Sequence, residues 1–454
     1  MSVTPAYGNP KILVIPVWFN DSNTIISIEK REQVREDIQT AYLGTNEEAG
    51  WRSVKTYYEE ESHGKLTLNG TVSDWYEENA KYNTYGPEKA GLTKTTQLVE
   101  KATKWYFEQN PTEKRTDYDS DADGYLDGVM LIYAAPNYSH TSNQYKNLWA
   151  YCYWLFNEDY KNTFNPGPNV FFWASFDFMY SANKMAERTG LNSSAKYASG
   201  DTSHSNVDTH TFIHEMGHVF GLDDYYDYSG QYSPAGSFSM QDQNVGGHDP
   251  FSSFALGWGQ AYIPTESMTL YIKPFTQSGE MIILSPSWNK TYDSAFDEYL
   301  IIEYYTADGL NELDTTYAYC GSSPTGSQER GIRLWHVDAR LAKYNGLSGA
   351  FELANTVNPA AASPASLMFS NTYEGEYADY HLLHLIRNKT TTPFNSKTPL
   401  RSEHLFKLNS AFNMSTYASQ FINSSLLNNG KSLGYSFSVD SLRPEYAKIT
   451  ITKA

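Results

Sequence analysis

Residues 209–227 read THTFIHEMGHVFGLDDYYD, and within them His214, Glu215 and His218 fall in the order H-E-x-x-H. Histidines four apart on a helix stand one turn above each other, so both imidazoles can address one ion about 2 Å from each nitrogen. Glu215 then sits beside the ion without ligating it. This is the donor set of a zinc hydrolase helix. Three protein ligands leave one tetrahedral position for water, whose pKa zinc lowers towards about 7, and Glu215 is placed to act as general base. The chemistry expected is amide hydrolysis without a covalent intermediate. A serine or cysteine mechanism finds no support, because neither GxSxG nor a cysteine with a nearby histidine motif is present.

A helical wheel separates this reading from that of ordinary core histidines. Phe212, Ile213, Met216, Val219 and Phe220 fall on one stripe at about 100° per residue, and the histidine pair lies opposite its centre. With 11 His and 52 acidic residues in 454, the order His-acid-x-x-His arises by chance about 0.03 times. Adding Gly and Asp at the next two pattern positions lowers this to about 10⁻⁴. Gly221 can adopt positive φ and end the helix, turning the chain back so that Asp224 is placed as the third ligand. The absence of any Glu between Glu215 and Glu266 argues against a thermolysin-like third ligand. Asp223, Asp227 and His248 are the competitors for this position.

A second cluster is DYDSDADGYLDG, where Asp119, Asp121, Asp123 and Asp127 surround Gly124 at the spacing of positions 1, 3, 5, 9 and 6 of a calcium loop. Hard carboxylate oxygens suit Ca2+, and four crowded like charges are costly without a cation. Met130 stands where such a loop places its bidentate Glu, so a site here borrows ligands from elsewhere. The competing reading is a solvated acidic turn before the strand Val129 to Tyr133.

The elements that must position these residues follow from the same sequence. KILVIPVWFND is a short β-branched run that reads as a buried strand, residues 29 to 43 and 91 to 109 have helical composition, and LTLNGTVSDWY alternates around the turn dipeptide Asn69-Gly70. After Pro264, MTLYIKPF, EMIILSPS, EYLIIEYY, GIRLWHVD, GYSFSVDSL and AKITITK are strand-like runs between Gly, Ser, Asp and Pro clusters. The expected fold is therefore α+β: a mixed catalytic domain over residues 1–265, then a mostly β, sandwich-like domain over 266–454. Gly346 to Ser366 reads as a long surface loop.

Composition narrows the partners. With 52 acidic and 34 basic side chains the net charge is −18, which repels phosphate backbones, and no apolar run approaches the roughly 20 residues of a membrane helix. Nucleic acid and a membrane span are thus not expected. The 37 tyrosines give the β domain aromatic surface for glycan contact, although tyrosine also fills cores. Cys152 and Cys320 make no disulfide framework and read as thiols. The N-terminus MSVTPAYGNP lacks the basic and apolar stretches of a signal peptide.

HEMGHVFGLDDYYD resembles the H-E-x-x-H-x-x-G-x-x-D stretch of the metzincin-like bacterial peptidases of the immune inhibitor A family. KILVIPVWFND, YYEEESHGKLTLNGTVSDWY, DYDSDADGYLDGVMLIY, SFSMQD, EYLIIEYY and GIRLWHVD are similar to the family too, over roughly residues 11 to 340. The resemblance implies a metzincin-type catalytic domain, a protein or peptide substrate, secretion from a bacterium with the leader absent from this chain, calcium beside zinc, and a methionine turn beneath the zinc. Met240, 22 residues after His218, occupies that position, packing a polarisable thioether under the histidines. Trp335 and His336 are given no chemistry. Two other functions compete: an adhesion or glycan/protein-binding protein on a metalloprotease-like scaffold, and zinc hydrolysis of a non-peptide substrate.

Overall fold

Strand β1 (Lys11–Phe19) is buried along almost its whole length because it runs through the middle of a parallel sheet. The computed structural model describes residues 3–288, 294–361, 366–373 and 377–454. They form two compact units, one of residues 1–60 and 64–222, the other of 61–63 and 223–454. This packing division differs from the composition change expected after residue 265, since packing and composition respond to different things.

In the first unit the sheet order is β2 (Asn69–Val72), β1, β4 (Val129–Tyr133), β6 (Val170–Ser175), β5 (Tyr151–Trp154), with β3 (Tyr76–Glu78) continuing beside β1. All pairings are parallel except β5 against β6. Pro16 is tolerated within β1 for a local reason. The Val14 carbonyl accepts from Ser73 N on the β2 side, so the alternation of the strand aims Pro16 the same way. There β2 pairs only Lys11 to Val14 and β3 only Val17 to Phe19. The missing N–H falls in the gap between them.

Asn69-Gly70 is not a turn but part of β2, in register with Lys11 and Ile12. A Cβ on Gly70 would lie 2.9 Å from the Ile12 carbonyl oxygen, so glycine here serves a close backbone approach. The helix Glu88–Gln109 lays Leu98, Val99, Ala102 and Tyr106 on one side of the sheet core, with Leu13, Ile15, Leu131 and Trp173. A second helix, Arg31–Leu43, supplies Tyr42, whose ring stacks on Phe212 of the His210–Val219 helix at 5.4 Å. Phe212 also meets Phe172 of β6 edge to face at 5.8 Å. The apolar stripe of the histidine-bearing helix is thereby buried.

In the second unit each of the six strand-like runs is a strand. A five-stranded sheet has the order β15 (Leu383–Ile386), β11 (Gly331–Asp338), β10 (Glu298–Tyr305), β9 (Glu280–Leu284), β7 (Gln260–Tyr262). A four-stranded sheet has the order β16 (Ala411–Phe412), β17 (Tyr435–Arg443), β18 (Tyr446–Lys453), β8 (Met268–Ile272). Ile282, Leu284, Leu300 and Ile302 of the first share one buried cluster with Phe437, Val439, Ile449 and Ile451 of the second. Two sheets thus close on one apolar layer. Strand β10 is buried on both faces, sending Leu300, Ile302 and Tyr304 to that layer and Tyr299, Ile301 and Tyr305 to another cluster.

Gly346 to Ser366 is not one long loop. Strands β12 (Leu341–Asn345) and β13 (Ala350–Leu353) form a hairpin with register Tyr344↔Phe351, and β14 (Ser366–Leu367) pairs β12 on its other side. Residues 362–365 of that stretch lie outside the described residues. Alternating apolar residues were hidden there by the Ala, Ser and Asn around them.

Three histidines are buried together in this unit. His336 stands opposite His384 in the β11–β15 register and hydrogen-bonds Glu298 through Nε2 at 2.9 Å. The His381 and His384 rings lie 5.8 Å apart, with Phe394 stacked on His381. Burial holds His381 down to about 4 and His384 well below its ordinary range, with neighbouring His and Arg charges adding to the effect and Asp227 opposing it at His381. The unfolded chain, with ordinary histidines, therefore binds more protons than the folded one between about pH 6.5 and 4, so stability falls as pH falls through that window. Acidifying from pH 7 to 5 should cost about 2 kcal/mol through His381 alone. Denaturant unfolding followed at both pH values should show this loss, and His381→Phe should shrink it.

Candidate active site

Helix His210–Val219 begins where the Asp208 carboxylate, just ahead of the first turn, accepts from the His210 N–H at 3.0 Å. Tyr58 clamps the middle of the helix, donating its hydroxyl to the Ile213 carbonyl at 2.7 Å. Phe212, Ile213, Met216 and Val219 are buried, whereas His214 and His218 are half-buried. Their ring centroids are 5.0 Å apart and their planes nearly perpendicular. The two imidazoles share the face opposite the apolar stripe.

The end of this helix sets the remaining geometry. Gly221 has φ +97°, its N–H donates to the His218 carbonyl at 2.8 Å, and the Leu222 N–H reaches back to the Gly217 carbonyl at 3.0 Å. A left-handed residue closed by reverse bonds stops the helix and turns the chain. The turn also orients His218. Its Nδ1 lies 2.9 Å from the Leu222 carbonyl oxygen, which can only accept, so Nδ1 carries the proton and Nε2 keeps its lone pair.

One ligand atom from each of His214, His218 and Asp224 lies within 4.8 Å of the others. Asp224 is buried, and the Tyr228 hydroxyl donates to its Oδ2 at 2.7 Å. Two imidazoles and a carboxylate at this spacing fit a tetrahedral divalent ion with one position left open. The competing residues are placed differently. Asp223 accepts from the Asp224 N–H and from Ser370. Asp227 caps the following turn, accepting from Ser229, Gln231 and Tyr232 N–H groups and from the Ser229 hydroxyl; against burial, these donors hold its carboxyl below the usual range. His248 is buried, with its ring 6.5 Å from that of Trp258, and is not in the three-residue group.

Glu215 is buried on the same helix. Its charge reaches two neighbours: burial foremost, then Glu215, raises the Tyr42 phenol and the Cys152 thiol far above their ordinary ranges. Cys152 belongs to β5, the edge strand, whose residues are all half-buried. Strand β5, last in the sheet order, thus passes beside the glutamate. Neither Cys152 nor Cys320 is in a disulfide. Met240 is fully buried, with its N–H on the Gly247 carbonyl at 3.2 Å.

In the acidic loop, Asp119, Asp121 and Asp123 offer oxygens within 4.8 Å of one another. Asp127 is set apart from them. Its Oδ1 accepts from the Ser120 N–H and hydroxyl, its Oδ2 from the Lys11 N–H, and burial pushes it up to about 6. It ties the loop to β1 instead of facing the other carboxylates, which loop spacing alone did not reveal. Burial likewise raises Asp119, with Asp123 and Asp121 adding repulsion.

Residues 10–162 match the family profile described as the immune inhibitor A peptidase M6 catalytic domain. Over those residues the chain is similar to immune inhibitor A peptidases. The match supports a peptidase, covers the acidic loop and ends before the His210–Val219 helix. No curated protein matches the chain. Among solved structures, the crystal structure of wild-type OgpA from Akkermansia muciniphila is matched with 12% identity over 75% of this chain and 92% of that one, at a TM-score of 0.24. No helix among the described residues is long and apolar enough to cross a membrane.

Tyr228 was not singled out in the sequence, although its position four residues after Asp224 was visible. The Tyr228 hydroxyl orients the Asp224 carboxylate, so Tyr228→Phe should weaken divalent-metal binding by about 10-fold with little change in melting temperature of the metal-free protein. Competition against a chelator of known affinity measures this.

Proposed function

We propose that this immune inhibitor A-like peptidase is a zinc-dependent endopeptidase with a metzincin-like site, its zinc held by His214, His218 and Asp224 and its general base Glu215. The observation that carries the reading is the grouping of those three ligand atoms around the face of the helix that bears Glu215. When bound, zinc supplies Lewis acidity, lowering the pKa of a water and polarising a carbonyl. The chain's own residues do the rest. His218 is held by Leu222, Asp224 by Tyr228, and Glu215 takes a proton from the attacking water and returns it to the leaving amine.

Met240 is assigned the methionine turn, packing beneath the histidines, and residues 1–265 the catalytic function. Secretion follows from the family likeness. Loss of any of His214, Glu215 or His218 would favour the binding-protein alternative, and all three are intact. Glu215→Gln keeps shape but removes the base, so zinc should remain bound while turnover on a peptide library falls by about 10² or more. Undiminished proteolysis would refute the role of Glu215.

Calcium binding is proposed for Asp119, Asp121 and Asp123, supported by their convergence and by the buried Asp119 Oδ1, which has no hydrogen-bond partner among the described residues. Asp127 is not among the ligands. Added calcium should raise the melting temperature of chelator-stripped, zinc-resupplied protein, and Asp121→Ala/Asp123→Ala should abolish the rise. An unchanged melting curve leaves only an acidic turn.

A further inference from the structure

A cavity of about 610 Å³ opens in the second unit, lined by Ser287, Asp297, Arg340, Asn355, Thr356, Asn429 and Lys431 together with the apolar Leu353 and Val357. This is within the roughly 300–1,000 Å³ of small-ligand sites. It lies wholly inside residues 223–454 and includes none of His214, Glu215, His218 and Asp224.

The positive charges around it are more than offset by carboxylates. Arg340 is already committed, giving Nε and Nη2 to the two oxygens of buried Asp338 at 2.6 and 2.8 Å, with Glu298 at 3.8 Å. Lys431 is countered by Asp297, whose carboxyl burial pushes up against the Glu298 N–H and the Lys431 ammonium. The lining cations Arg340 and Lys431 are thus countered by Asp297 in the lining and by Asp338 and Glu298 buried behind Arg340, so an anionic ligand gains nothing from the field. What remains to a ligand is neutral: amide and hydroxyl groups of Asn355, Asn429, Thr356 and Ser287. Asn355 has no hydrogen-bond partner among the described residues.

An aromatic platform adjoins this wall. On the β12–β13 hairpin, Tyr344 and Phe351 are cross-strand partners, with rings 5.4 Å apart and exposures of 44% and 50%. Leu353, which lines the cavity, follows Phe351 by two residues and so shares its face about 7 Å farther along the strand. The opposite face of the hairpin carries Lys343, Asn345 and Glu352, with Asn345 bonded to Glu352 at 2.8 Å. Exposed aromatic rings beside planar polar side chains complement a ligand with apolar C–H faces and a rim of hydroxyls.

We propose that this cavity and the Tyr344–Phe351 platform bind a neutral oligosaccharide, the rings stacking on a sugar face and the Asn355, Asn429 and Thr356 side chains hydrogen-bonding its hydroxyls. The site stands independently of the peptidase reading. Titration calorimetry of the full chain tests it with a neutral oligosaccharide, the same glycan on a peptide, a sialylated oligosaccharide and the bare peptide. Both neutral glycan ligands should bind; tighter binding of the glycopeptide marks a glycan carried on substrate, equal binding a free one. Asn355→Ala and Tyr344→Ala/Phe351→Ala should each weaken binding about tenfold or more, while melting temperature and hydrolysis of an unglycosylated peptide stay as in the parent chain. No binding of neutral glycans at millimolar concentration, binding of the sialylated ligand alone, or binding unaffected by both variants would overturn the proposal.

Discussion

A carboxylate six residues beyond a helical histidine would be carried about 9 Å along the axis if the helix went on. Asp224 reaches the imidazoles only because the helix stops after Val219 and the chain reverses at Gly221. The reversal does two things at once. It returns Asp224, and it presents the Leu222 carbonyl to His218 Nδ1, so the backbone atom that ends the helix also fixes the imidazole tautomer. The rest of the first unit serves this short segment: Phe212 and Ile213 anchor it against Tyr42, Phe172 and Tyr58.

Much of the helix was legible because its constraints are local. H-E-x-x-H, the apolar stripe opposite it and the glycine three residues after His218 all act within two or three turns of chain, where residue spacing translates directly into direction. The long strands were legible for a similar reason, since β10 and β11 are buried on both faces and are rich in β-branched and aromatic residues, their few charged side chains pairing across the two strands as Arg333 does with Glu303 and His336 with Glu298. Asp119, Asp121 and Asp123 likewise converge within one short loop.

What stayed hidden depends on partners far along the chain. Asn69-Gly70 has turn chemistry by itself, and only the approach of β1 explains the glycine. Asp127 has the spacing of a calcium ligand but points at the Lys11 N–H, 116 residues away in sequence. Strand β13 is an exposed edge whose pattern was lost among small polar residues. The burial of His381 and His384 depends likewise on strand pairing that their spacing does not encode.

The proposed chemistry needs one ion shared by His214, His218 and Asp224. Anomalous diffraction at the zinc edge from crystals of the zinc-loaded chain tests it most directly. A single strong peak about 2 Å from an imidazole nitrogen of both histidines and from an Asp224 carboxylate oxygen is the predicted result. A peak that takes His248 in place of Asp224, or no peak at the histidine pair, would contradict it.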